Sequence, residues 1–185
     1  MKKGFTLVEL VVILSIFGIL MIAGTDFLIQ AVRNSNRSAM ENEVRQNAGQ
    51  ILQDIDSEAK KADPSIGFTY VAGNGNLSMT TVNSSPTRVV SYATNANGIL
   101  TKTITIGGVP GASAVLNSNS VSVLNCPLSG TGCPAGACTK GLVVSQPTIS
   151  DPLLINLTVE SNSSFTRTDY CAKLSLTDSV TARQY

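Results

Sequence analysis

Residues 5–24 form an apolar run in which Glu9 is the sole ionisable side chain. Such a run in α-helical geometry reaches roughly 30 Å, about the thickness of a bilayer core. Lys2 and Lys3 precede it, so the positive-inside rule keeps the N-terminus in the cytoplasm and carries the rest across. A cleaved secretory signal fits poorly. Cleavage after Ala23 or Gly24 places Met21 or Ile22 at −3, where a small residue is needed, and an acid at the head of the apolar core is out of character. A plain membrane anchor fits the length but leaves Glu9 unexplained. A charge deep in a spanning helix costs about 3 kcal/mol, and less near a helix end.

The rest of the chain bounds the possibilities further. At 185 residues there is room for one anchor and one modest domain. The formal charge is +1. Removing Lys2 and Lys3 from the 13 basic residues leaves 11 against 12 acidic ones, which gives no case for a nucleic-acid surface. Histidine is absent, which excludes Ser-His-Asp and Cys-His nucleophile systems and the commonest zinc sites. Nothing in the sequence marks an enzyme or calls for a cofactor.

After Arg33 the helical pattern turns amphipathic. Met40, Val44, Ala48, Ile51, Ile55, Ala59 and Ala62 step by threes and fours along one face. Glu41, Glu43, Arg45, Asp54, Glu58, Lys60 and Lys61 fill the others, and Asp63-Pro64 stops the helix. From Phe68 the texture becomes short β runs and turns. Gly73-Asn74-Gly75-Asn76 predicts a hairpin between residues 68–72 and 77–82. Asn95-Ala96-Asn97-Gly98 predicts another between 88–93 and 99–106. Gly107-Gly108 and Pro110-Gly111 read as breaks, with strands expected at 114–116, 120–124, 153–160 and 172–180. Polar residues alternate with apolar ones, so one sheet face is wet. The fold class is α+β, a long N-terminal helix packed on a C-terminal antiparallel β-sheet domain.

Four cysteines, Cys126, Cys133, Cys138 and Cys171, all lie in the exported part. An oxidising compartment favours two disulfides, for which three pairings exist. The short loop Cys133-Pro-Ala-Gly-Ala-Cys138 is expected to close on itself, leaving Cys126 with Cys171. A four-thiolate zinc site is the alternative, and the lack of a C-x-x-C knuckle disfavours it, so no metal is expected. Residues 126–140, rich in Pro and Gly, read either as a disulfide-pinned variable loop or as a partner-binding loop.

The string Gly4-Phe5-Thr6-Leu7-Val8-Glu9, with its short basic leader, resembles the processing motif of type IV prepilins and pseudopilins. The resemblance implies that a prepilin peptidase cuts between Gly4 and Phe5 and methylates the Phe5 amine. It implies that Glu9 pairs with the Phe5 amine of a neighbouring subunit during filament assembly. Many major pilins have a proline at the position of Asp26, so no proline kink is expected here. Val89-Val90-Ser91-Tyr92, Gly98-Ile99-Leu100-Thr101-Lys102 and Ser179-Val180-Thr181-Ala182-Arg183 loosely resemble strands of J-type minor pseudopilins and related minor pilins. Retention of Glu9 argues against the K-type minor subunit.

The resemblance implies a division into a leader at 1–4, a transmembrane and filament-core helix at 5–29, and an amphipathic helix at 30–63. A β-rich, disulfide-bonded exported domain follows at 64–185. It implies a structural subunit of the bacterial cytoplasmic membrane, single-pass with its N-terminus inside, that later joins a type IV pilus or a type II secretion pseudopilus. The partners implied are prepilin peptidase, other pilin-like subunits, the inner-membrane assembly platform and the lipid bilayer. The rival reading is a single-span envelope protein whose periplasmic β domain binds a ligand.

Overall fold

A computed structural model describes residues 6–63, 68–71, 75–81, 85–128, 136–146, 151–162 and 170–181. One helix, α1 (Leu7–Ala59), runs without a break through the apolar and amphipathic stretches. It extends roughly 80 Å at the α-helical rise. Its chain-terminal half stands clear of the rest of the protein, while Met40, Val44, Ala48, Ile51, Ile55 and Ala59, followed by Ala62, are buried. Those are the residues the 3.6-residue period selects.

Among the described residues eleven strands follow: β1 (Phe68–Val71), β2 (Asn76–Thr80), β3 (Arg88–Thr94), β4 (Leu100–Ile106), β5 (Val109–Val115), β6 (Val121–Ser122), β7 (Leu124–Asn125), β8 (Thr139–Lys140), β9 (Leu142–Ser145), β10 (Leu153–Ser161) and β11 (Lys173–Val180). They form two main antiparallel sheets and a small β7–β8 ribbon, where the sequence suggested a single sheet. The first sheet is a simple meander, β1-β2-β3-β4-β5. In the second, β10 is central, with β11 along one edge and β9 and β6 sharing the other.

β10 explains how the second sheet meets the helix. Its side chains alternate, and Leu153, Ile155, Leu157 and Val159 all point into the core. Their partners on β11 include Leu176 and Leu174, which pack against the same cluster. The two hairpins read from Asn and Gly clusters are both present. Gly75 and Gly98 take positive φ, as such turns require. At Gly98 a side chain has no room either, since a Cβ would lie 2.7 Å from that of Ser122.

Two expectations need correction. Pro110-Gly111 does not break the chain but lies inside β5. β5 is an edge strand, where a proline's missing N–H need not face a partner, and the ladder shifts register between Thr103 and Thr105 to absorb it. Gly111 is required there, because a Cβ would sit 2.9 Å from the Ile104 carbonyl oxygen. The second correction concerns Glu58, placed by the sequence pattern among the outward residues. It is buried, at 7% exposure. The first sheet covers that flank of α1 and brings matching cations.

Those cations form the polar seam between helix and first sheet. Arg88 on β3 makes two hydrogen bonds to the Glu58 carboxylate, at 2.8 and 3.2 Å. Lys102 on β4 donates to Glu58 at 3.1 Å and to Asp54 at 2.7 Å. The Tyr92 hydroxyl donates to the other Asp54 oxygen at 2.8 Å. Burial opposes the charge on Glu58, but the hydrogen bonds and charges of Arg88 and Lys102 outweigh it and hold the carboxyl down at about 2. Lower on the helix, Asn47 accepts from the Ser118 N–H at 2.9 Å, and Glu43 accepts from the Ser118 and Ser120 hydroxyls.

Removing Glu58 takes the carboxylate partner from Arg88 and leaves Lys102 with Asp54 alone, so Glu58→Ala should cost about 3 kcal/mol near neutral pH. A carboxyl depressed from 4.5 to about 2 contributes stability that is complete above the higher value and lost as pH falls through the lower one. Urea unfolding of the parent and variant chains should therefore converge as pH drops below about 4.5. A gap of the same size at pH 2 and pH 7 would contradict this.

Candidate functional site: the uncovered helix and its carboxylate

From Leu7 to Val32 every described side chain of α1 is exposed, including the large apolar residues on all sides of the helix. A helix apolar all round is buried in something, and here none of the described residues covers it. By length and composition it can cross a membrane. The exposed apolar stretch continues through Phe27, Leu28, Ile29 and Val32, past Asp26. In all it reaches roughly 39 Å, longer than the 30 Å or so of a bilayer core. Its few hydroxyls are satisfied internally. Ser15 donates to the Val11 carbonyl at 2.8 Å, and Thr25 to that of Ile22 at 2.8 Å.

The acid at the head of this helix has a local structural role. Thr6 is the N-cap, in extended conformation, and Thr6 and Glu9 form a reciprocal capping box. The Glu9 N–H donates to Thr6 Oγ1 at 3.3 Å. The Thr6 N–H and hydroxyl both donate to Glu9 Oε2, each at 3.0 Å. The T-x-x-E spacing carries this signal in the sequence, beside the isolated charge and the motif position that single out Glu9. One Glu9 oxygen is occupied by Thr6, and a capping carboxylate also suits the positive end of the helix dipole. Gly4 and Phe5 lie outside the described residues.

The cysteines differ from expectation. Cys126 bonds to Cys138, with Cα atoms 4.1 Å apart. The expected pairs Cys133–Cys138 and Cys126–Cys171 are therefore wrong. The physical reason is the β7–β8 ribbon. Antiparallel pairing of Leu124 with Lys140 and Asn125 with Thr139 brings the next residues on each strand, Cys126 and Cys138, opposite each other. Cys171 is disulfide-bonded as well, and Cys133 lies outside the described residues. Cys126, Cys138 and the buried Glu160 are grouped closely enough to hold a metal, but the disulfide consumes both thiolates.

Residues 1–25 match the family model described as "Prokaryotic N-terminal methylation motif". The chain carries a prepilin-type N-terminus. That motif supports the type IV pilin and pseudopilin family, and with the apolar helix it supports a membrane-anchored subunit. No curated protein and no solved structure matches the chain. The prepilin-type segment thus coincides with the part of α1 that the β sheets leave bare.

The ribbon disulfide closes a loop with a sequence separation of 12, for which chain-entropy arguments give about 3 kcal/mol. The paired change Cys126→Ser and Cys138→Ser should lower unfolding stability by that order. Cys126, Cys133 and Cys138 share one tryptic peptide, since no Lys or Arg lies between Lys102 and Lys140. Fragmentation of that peptide under non-reducing conditions should show Cys126 joined to Cys138. A Cys133–Cys138 bond would overturn the assignment.

Proposed function

We propose that this chain is a minor pilin or minor pseudopilin, a structural subunit with no catalysis of its own. The single observation that carries the reading is the coincidence of the prepilin-type motif with a helix half that is apolar on every side and left uncovered. Prepilin peptidase would cut between Gly4 and Phe5 and methylate the Phe5 amine. Residues 5–29 would then serve first as a membrane anchor and later as part of a filament core. Residues 30–63 would carry the helix into the exported domain, which occupies 64–185.

In the membrane, lipid covers the first 30 Å or so of the apolar helix, and the positive leader holds the N-terminus inside. The apolar stretch runs on to Val32, longer than that span, which tilting of the helix accommodates in the bilayer and helices of neighbouring subunits cover after assembly. Glu9 has an oxygen beyond the one held by Thr6, available to the methylated Phe5 amine of a neighbour. Water and lipid are excluded from a helical core, so an unpaired carboxylate there is costly and a paired one fixes the axial register. The partners on this reading are prepilin peptidase, the assembly platform of the inner membrane and other pilin-like subunits.

Glu9→Ala separates assembly from insertion. The variant should be cleaved and inserted normally, yet be depleted at least several-fold from sheared filament fractions. Incorporation at the parental level would refute the role of the carboxylate.

A further inference from the structure

Glu160 is a carboxyl at 1% exposure with no role in helix packing or assembly. The alternation along β10 sends Leu157 and Val159 to the helix and Thr158 and Glu160 to the opposite face. At that end of the strand the β7–β8 ribbon and its disulfide close over the sheet. Glu160 Oε2 accepts the Cys126 N–H at 3.2 Å. A Glu160 oxygen and the sulfurs of Cys126 and Cys138 all lie within 4.8 Å of one another. The two sulfurs are unequal: Cys126 is buried at 1% exposure, and Cys138 is exposed.

Among the described residues, few other groups surround Glu160. Lys173, its register partner on β11, holds its Nζ 4.0 Å away and donates it to the Cys126 carbonyl at 2.6 Å and to Asn125 Oδ1 at 2.7 Å. Ser122 on β6 lies opposite in the ladder. On the helix side, Arg37, Glu41 and Arg45 of α1 line a groove with Lys173, and Arg37 is paired to Glu41.

We propose that the Cys126–Cys138 bond is a site of thiol–disulfide exchange with a dithiol that approaches from Cys138, and that Glu160 is the proton donor and acceptor for the Cys126 sulfur. In the reducing direction a thiolate of the partner attacks the exposed Cys138 sulfur. A mixed disulfide forms there, and the Cys126–Cys138 bond breaks with its electron pair going to Cys126. The leaving Cys126 sulfur takes the Glu160 carboxyl proton, because burial disfavours a thiolate there. The partner's second thiolate then attacks its own sulfur of the mixed disulfide and releases Cys138, which is protonated by water. The partner dithiol ends oxidised and the cysteine pair reduced. Closure during export is the reverse: Glu160 carboxylate removes the Cys126 proton, and the resulting thiolate displaces an oxidant's sulfur from Cys138.

The electrostatics suit both directions. Burial pushes the Glu160 carboxyl up to about 7, against the opposing pull of the Cys126 N–H and the Lys173 charge. Near neutral pH both proton-donating and proton-accepting forms are populated.

The test uses the full chain in detergent micelles with dithiothreitol as the dithiol. Opening of Cys126–Cys138 is followed by differential alkylation and peptide fragmentation, and the rate constant is referred to the thiolate form of the reagent. In the parent chain it should fall roughly tenfold from pH 6 to pH 8 as the Glu160 acid form disappears. In Glu160→Gln it should be slower at pH 6 and lack that fall. Lys173→Met, which keeps the carboxyl but removes its cation, should move the midpoint upward. The proposal fails if parent and Glu160→Gln share one profile or if Lys173→Met leaves the midpoint in place. It also fails if the rate ignores dithiothreitol concentration, because opening would then follow unfolding of the ribbon.

Discussion

The helix Leu7–Ala59 must satisfy two environments at once, and the rest of the molecule is arranged around that demand. Its second half has one apolar stripe, which two sheets can cover. Its first half is apolar on every side, which no single layer of protein can cover. The break in burial at Met40 marks where the chain stops supplying its own partner. Below that point the surroundings have to come from lipid or from other helices. A prepilin-type motif over residues 1–25 fits that division, because it addresses the bare half alone.

Charge is added to apolar packing on one side of the helix only. The second sheet meets α1 through β10 and β11 with leucine, isoleucine and valine side chains. The first sheet adds Leu77, Met79, Val90 and Leu100 to the same cluster, and beside them Asp54 and Glu58 receive Lys102, Arg88 and Tyr92. Such a cluster adds little net stability against an apolar substitute, since five polar groups lose water to form it. It does fix which residues must meet, and so holds the meander at one height along the helix.

The apolar half, the amphipathic stripe and both Asn-Gly hairpins were legible in the sequence because each rests on local spacing. Glu9 is legible by its isolation, and its capping bond to Thr6 by the T-x-x-E spacing alone. What escaped was set by contacts between distant segments. Glu58 reads as solvent-facing until Arg88 and Lys102 are brought over it from thirty and forty-four residues away. The pairing of Cys126 with Cys138 follows from a ribbon of two residues per strand, too short to leave a periodic trace. Glu160 sits in an alternating strand whose outer positions should be wet, and only the ribbon above it makes that position dry.

The central claim is that the bare helix is a processed filament-core segment rather than a simple anchor. N-terminal sequencing with mass determination of the chain from bacterial envelopes tests it most directly. The account predicts a chain beginning at Phe5 with a methylated amine. A chain that retains Met1, or one cut after Ala23 or Gly24, would contradict it.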